Sequence, residues 1–100
     1  MRVGTETSVT AFEALARQFL GRASPTTEPT TGAGLDDRVL DSIDLAHHNE
    51  GLIALENLCS NLHDFEVAVT DEERAALVTF ADAWRLGDKD RRLIELLSSA

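Results

Sequence analysis

Apolar residues recur at helical spacing along almost the whole chain, and this periodicity leaves little room for other secondary structure. Gly21 stands where the first periodic segment would stop as a helix. Thr10 and Glu13 have the spacing of a capping box near its start. We therefore expect a first helix over residues 9–20. Its apolar residues fall on one side of a helical wheel: Val9, Phe12, Leu15, Ala16 and Phe19.

The same periodicity predicts four further helices, over residues 36–46, 50–64, 71–85 and 88–97. Thr70 with Glu73 predicts a capping box at the start of the fourth helix. The residues expected to face the core are Leu35, Val39, Leu40, Ile43 and Leu45 or Ala46, then Leu52, Leu55, Leu58, Cys59 and Leu62, then Leu77, Phe80, Ala81 and Trp84, and finally Leu93, Ile94 and Leu96 or Leu97.

Two segments interrupt this helical pattern. Residues 22–34 are rich in Ser, Thr, Pro and Gly and contain no large apolar residue, which predicts a flexible loop. Residues 65–69 alternate like a strand but lack a neighbour in sequence to pair with, so we expect an extended connector whose Phe65, Val67 and Val69 cover the core.

Together these elements predict an all-α fold, a small bundle of four to five helices in a single domain over residues 1–100. The main bundle is expected over residues 35–97, with the first helix joined to it by the flexible loop. Such a helix either docks loosely on its own chain or exchanges between two copies. The sequence therefore leaves open whether the protein is a homodimer.

No set of residues has the spacing of a catalytic or metal site. The candidate metal ligands His47, His48, Cys59 and His63 show none of the dense zinc-ligand spacings. Cys59 and His63 are four residues apart, but Cys59 belongs to the apolar stripe, where a cysteine packs as a small hydrophobe. The sequence therefore predicts a non-catalytic protein with no metal and no cofactor.

Acidic residues are concentrated in the middle of the chain. Residues 36–73 carry eleven acidic residues and one basic residue, Arg38, while the whole chain has a net charge of −9. A field of one sign attracts an oppositely charged partner and repels nucleic acid. No apolar run is long enough for a membrane helix or a signal peptide, so we expect no membrane partner and a cytoplasmic location.

Residues 50–62, Glu-Gly-Leu-Ile-Ala-Leu-Glu-Asn-Leu-Cys-Ser-Asn-Leu, resemble a helix of the MafI-like bacterial immunity proteins. The resemblance continues through His63-Asp64-Phe65-Glu66-Val67 and the Thr70-Asp71-Glu72-Glu73 helix start to Ala83-Trp84-Arg85-Leu86-Gly87-Asp88. It covers about half of the chain in the same order. It implies a small helical antidote that inhibits a cognate toxin, often a nuclease with a basic active face, by tight binding.

The charge pattern agrees with such a partner, because exposed acidic residues would mimic phosphate groups and approach a basic face quickly. The alternative is a non-catalytic helical adaptor or regulatory subunit, either monomeric or homodimeric, whose acidic residues only keep it soluble. The predicted partner-binding residues are Asp36, Asp37, Asp41, Asp44, Glu50 and Asp64, with Asn57 and Asn61 adding hydrogen bonds.

Overall fold

A computed structural model of the chain describes residues 7–22 and 34–100. Its five α-helices are α1 (Val9–Arg17), α2 (Leu35–His47), α3 (Gly51–Asp64), α4 (Asp71–Ala83) and α5 (Asp88–Leu96). The predicted all-α bundle is confirmed, and each helix lies within three residues of its expected bounds. Residues 23–33, the greater part of the expected flexible loop, lie outside the described residues.

Side-chain caps begin two of these five helices, α1 and α4. The capping box at Thr70 is confirmed: Thr70 Oγ1 accepts from the backbone N of Glu73 at 3.0 Å, and Glu73 Oε1 accepts from the backbone N of Thr70 at 2.9 Å. The box predicted at Thr10 is wrong. Ser8 caps α1 instead, because its Oγ accepts from the backbone N of Ala11 at 3.1 Å and leaves Thr10 inside the helix.

Three of the helices end at a residue in the left-handed backbone region. Asn49, Glu66 and Arg85 have φ angles of 64°, 53° and 60° after α2, α3 and α4. In each case the following residue donates its N–H to a carbonyl five positions back, which satisfies groups that the helix end would otherwise leave unpaired. These bonds are Glu50 N to Leu45 O, Val67 N to Leu62 O and Leu86 N to Ala81 O.

Most of the predicted core is buried, but Leu40 and Leu52 are not: 43 % and 40 % of their surface is exposed. Leu40 lies 100° round α2 from the buried Val39, and the position that completes the inner face is taken by Ser42. The buried Ser42 hydroxyl donates to the carbonyl oxygen of Arg38 at 3.2 Å. Where the pattern left two choices, Ala46 and Leu97 are the buried residues, whereas Leu45 is half-buried and Leu96 is exposed.

The first helix is docked on its own chain. Its Phe12, Leu15, Ala16 and the following Phe19 are all buried, and α1 packs against α2 and, less extensively, against α4. The link to α4 is aromatic, since the Phe12 ring lies 5.7 Å from Phe80 and 5.3 Å from Trp84, centroid to centroid.

The connector after α3 buries Phe65, Val67 and Val69 as expected. It also finds a pairing partner that lies far away in sequence, at the end of the chain. Val69 donates its N–H to Ser98 O at 2.8 Å, and Ala100 donates its N–H to Val69 O at 2.7 Å. This isolated parallel bridge fixes the residues after α5 against the start of α4.

Candidate functional site

Asp37, Asp41 and Asp44 form a stripe along the exposed face of α2. They occupy positions i, i+4 and i+7, and all three are exposed. Because a helix rises 1.5 Å per residue, the stripe is roughly 10 Å long. The opposite face of the helix carries the buried Val39 and Ala46. The core therefore determines the direction of these carboxylates, and we call Asp37, Asp41 and Asp44 the acidic stripe.

Asp36 is also exposed, and its side chain bonds to a segment that precedes α2. Its Oδ1 accepts from the backbone N of Gly21 at 2.8 Å. Gly21 adopts a φ of 79°, which favours glycine, and ends the turn that follows α1. Asp36 thus joins the end of the α1 segment to the first turn of α2, at the edge of the predicted site.

The remaining predicted residues lie on or next to α3, the helix that makes the most extensive contact with α2. Glu50, Asn57 and Asp64 are exposed. Asn61 is half-buried, and its Nδ2 donates to the carbonyl oxygen of Asn57 at 2.7 Å, so one of its hydrogen-bonding groups is engaged within α3. A turn of only three residues joins α2 to α3, so these side chains lie on the helix that follows α2 in the chain and packs against it.

Two histidines at the end of α2 interact with acidic residues. His48 Nδ1 lies 2.8 Å from the carbonyl oxygen of Asp44 and 3.7 Å from Asp44 Oδ1. The hydrogen bond to that carbonyl, followed by the carboxylate charge, raises the pKa of His48 above 6.5. His47 Nε2 lies 2.7 Å from Glu13 Oε1. That hydrogen bond, together with one from Arg17, lowers the pKa of Glu13. Protonation of His48 would therefore add positive charge at one end of the acidic stripe.

The side chains considered for catalysis lie apart from the stripe. Cys59 is fully buried, and burial raises the pKa of its thiol to about 12, so the nucleophilic thiolate is not formed at neutral pH. His63 is exposed, with its Nδ1 3.8 Å from Asp64 Oδ1. Within residues 7–22 and 34–100, no group of three His, Cys, Asp or Glu side chains is arranged to hold a metal ion. None of the helices there is long and apolar enough to cross a membrane.

Basic side chains of the C-terminal region serve the fold. Arg91 Nε donates to Leu86 O at 2.9 Å, and Arg91 Nη1 lies 2.7 Å from Asp82 Oδ1. Arg74 Nη2 donates to Leu97 O at 2.7 Å. Lys89, Arg91 and Arg92 lie close together in the sequence of α5, and one of them, Arg91, is thus bonded to the end of α4 and the turn after it.

The sequence pattern did not predict that large apolar side chains are exposed on α2 and α3, the helices that also carry the predicted acidic residues. Leu40 on α2 and Leu52 and Ile53 on α3 are exposed, with 47 % of the Ile53 surface open. A helical wheel already places Ile53 opposite the buried Leu55 and Leu62, so its exposure could have been predicted. The exposure of Leu52 could not have been predicted, because it depends on where α1 begins and where α4 ends.

No protein-family model, curated protein or solved structure matches this chain. The resemblance to the MafI-like immunity proteins therefore stays a prediction that rests on the residues between Glu50 and Asp88.

Proposed function

We propose that this protein is an immunity protein that binds a basic bacterial toxin and neutralises it, with the acidic stripe meeting the toxin's basic face. The observation that carries the proposal is the charge distribution, since residues 36–73 hold eleven acidic residues and one basic residue. Asp37, Asp41 and Asp44 place part of that charge on one exposed helix face. The resemblance of residues 50–88 to the MafI-like proteins supports the same function.

The expected contribution of the stripe is to the rate of association. Exposed carboxylates are screened by water and salt, so each surface ion pair adds at most about 1 kcal/mol. Their combined field still steers a positively charged partner and raises the association rate, by about tenfold or more at low salt. A toxin held in this way cannot present its basic face to nucleic acid, and no catalysis by this chain is needed.

A cytoplasmic location follows from this proposal, because a toxin that acts on nucleic acid inside the cell must be neutralised there. The buried free thiol of Cys59 is compatible with a reducing compartment.

The first test is to look for a toxin-like domain in the neighbouring reading frames and to co-express it with this protein, scoring cell survival and co-purification. Rescue of growth with a one-to-one complex is the expected result. No rescue and no complex would refute the immunity function.

Charge-neutralising variants then test the stripe itself. The variant Asp37→Asn, Asp41→Asn, Asp44→Asn should associate about tenfold more slowly than wild type at low salt. The matched control, Glu72→Gln, Asp88→Asn, Glu95→Gln, removes the same charge from exposed positions on α4 and α5. If both variants associate more slowly than wild type by the same factor, overall charge matters and the α2 face does not.

A second function is favoured by a groove between α1 and α4. The groove has a volume of about 480 Å³ and is lined mainly by small and apolar side chains, among them Ala11, Ala14, Ala76 and Phe80. A second copy packed there would give the homodimeric adaptor or regulatory subunit considered from the sequence. Sedimentation equilibrium of the isolated protein checks this, since an adaptor of that kind is a dimer and the immunity protein needs no dimer.

A further inference from the structure

Leu40 is a large apolar residue on the exposed side of α2, with 43 % of its surface open to solvent. Residues three or four positions apart on a helix are neighbours, with about 5–6 Å between their Cβ atoms. Asp36 and Asp37 occupy these positions before Leu40, and Asp44 occupies one after it. All three aspartates are exposed. The helix geometry therefore places carboxylates on both sides of the exposed leucine.

This negative surround distinguishes Leu40 from exposed apolar residues on other helices. Val78 on α4 is 42 % exposed and Leu96 on α5 is 61 % exposed. Each of them follows an arginine by four positions, Arg74 and Arg92 respectively. Exposed apolar surface and carboxylates at both the preceding and the following turn thus coincide at Leu40, and they do not coincide at Val78 or Leu96.

The basic side chains closest to Leu40 in the chain or on α1 leave this negative charge in place. Arg38 is two residues before Leu40, which places it about 160° away round the helix. Arg17 on α1 is bonded to Glu13, with 2.8 Å between its Nε and Glu13 Oε2. His47 contacts the other oxygen of the same carboxylate, at 2.7 Å. The positive charge of Arg17 is therefore matched by Glu13 and leaves the aspartates of α2 uncompensated.

Two further basic residues lie near the ends of this surface. Asp36 accepts from the residue before Arg22, but the Arg22 guanidinium is bonded to Glu73 at 2.6 Å and 2.7 Å. His48 Nδ1 lies 3.7 Å from Asp44 Oδ1, so a protonated His48 would offset one carboxylate. With both residues counted, the exposed aspartates of α2 still outnumber the cations beside them.

The charge around Leu40 selects among the molecules that could cover it. A second copy of this chain would bring the same aspartates against this surface. Nucleic acid or an anionic membrane would bring phosphate groups. Each of these carries negative charge and is repelled. A basic protein segment is complementary, because an apolar side chain can contact Leu40 while lysine or arginine side chains reach Asp37 and Asp44.

We infer that Leu40 is the apolar anchor of a docking surface on α2 for a basic amphipathic segment of a partner protein, with an apolar side chain on Leu40 and cations on the aspartates around it. The inference rests on the proposed function for the identity of the partner. It adds a division of labour, in which the acidic stripe acts on association and Leu40 acts on dissociation. Interfaces commonly surround an apolar contact with polar residues that exclude water from it.

A pair of synthetic peptides tests the anchor without the toxin. Lys-Lys-Leu-Leu-Lys-Lys and Lys-Lys-Ser-Ser-Lys-Lys carry the same charge and differ only in apolar surface. In an NMR titration at low ionic strength, both should shift backbone amide resonances of α2, and the leucine peptide should bind about fivefold more tightly. Leu40→Ser should abolish this difference, and Leu40→Met should retain it. Val78→Ser, an equally exposed position on α4, is the matched control and should also retain it.

The outcomes separate the anchor from the proposed function. Equal affinity of the two peptides for the wild type, or an unchanged preference in Leu40→Ser, would overturn the anchor and leave the acidic stripe intact. If neither peptide shifts the α2 resonances, the anchor and the role of the stripe both fail. Concentration-dependent sedimentation that Leu40→Ser abolishes, with no peptide present, would assign this surface to a second copy and overturn the inference.

With the toxin domain, Leu40→Ser should raise the dissociation rate about tenfold and leave the association rate unchanged. If a complex forms and its dissociation rate is the same for wild type and Leu40→Ser, the anchor is refuted while the immunity function stands.

Discussion

Arg22 and Glu73 form an ion pair that joins the segment after α1 to the first turn of α4. Arg22 Nη1 donates to Glu73 Oε1 at 2.6 Å, and Nη2 donates to Oε2 at 2.7 Å. The Glu73 side chain is only 4 % exposed and the Arg22 side chain 32 %. The guanidinium also lies 5.3 Å from the centroid of the Phe19 ring. Replacing Arg22 by Met keeps the aliphatic packing and leaves a carboxylate without its cation.

The cost of Arg22→Met can be bounded from this geometry. Removing one partner of a fully buried ion pair costs about 3–5 kcal/mol. Because about a third of Arg22 is exposed, solvent screening lowers the expected cost to roughly 2–3 kcal/mol. For a domain of this size that corresponds to a fall in Tm of roughly 10–20 °C. Urea unfolding followed by circular dichroism measures the free energy without adding salt that would screen the pair.

The effect should depend on pH in a defined direction. The hydrogen bonds from Arg22, followed by those involving Thr70, lower the pKa of Glu73 from 4.5 despite its burial. A carboxyl whose pKa is lowered on folding stabilises the native state above its unfolded pKa and loses that contribution as the pH falls through its folded pKa. The difference between wild type and Arg22→Met should therefore be full at pH 7 and shrink below about pH 4.5.

A double-mutant cycle with Glu73→Gln, which keeps a side-chain acceptor for the Thr70 cap, isolates the pair itself. Arg92→Met on the exposed face of α5 is the matched control. If Arg22→Met and Arg92→Met have the same stability at pH 7, Arg22 does not fix the end of the α1 segment and the reasoning fails.

Two substitutions and one labelling experiment test other parts of the fold. Leu58→Ala removes a fully buried side chain of α3 and should lower the free energy of unfolding by about 2–5 kcal/mol; an unchanged urea midpoint would contradict its place in the core. Arg85→Gly relieves a left-handed backbone and should raise that free energy by about 0.5–1 kcal/mol, whereas a loss would mean that the arginine side chain stabilises the turn. The thiol of Cys59, buried and with its pKa raised to about 12, should react with iodoacetamide only at the rate of unfolding; rapid labelling of the native protein would contradict its burial.

Local chemistry explains why the helices could be predicted so closely. Thr70 and Glu73 form their capping box from residues three apart, and the α4 stripe of Leu77, Phe80 and Ala81 follows the period of a single helix. Such signals are complete within one turn or two, so they require no knowledge of neighbouring elements.

The errors in the predicted core came from positions where a neighbouring element decides burial. The apolar periodicity of α2 predicts that Leu40 lies on the core-facing side. The packing of α1 and α3 leaves Leu40 exposed and buries Ser42 instead. Likewise the composition after Gly21 predicted that Arg22 belongs to a flexible loop, but the carboxylate it binds lies on α4. A partner so distant in sequence leaves no local signal.

For the candidate site, the sequence by itself determined the amount of acidic charge, its concentration in residues 36–73 and the i, i+4, i+7 spacing of Asp37, Asp41 and Asp44. Only the tertiary structure decided which side of α2 is covered, and hence that this spacing becomes an exposed stripe. It also decided that Leu40 is exposed beside these carboxylates. The physical reason is that charge and helical period are properties of the chain, whereas exposure is a property of the contacts that the helices make with one another.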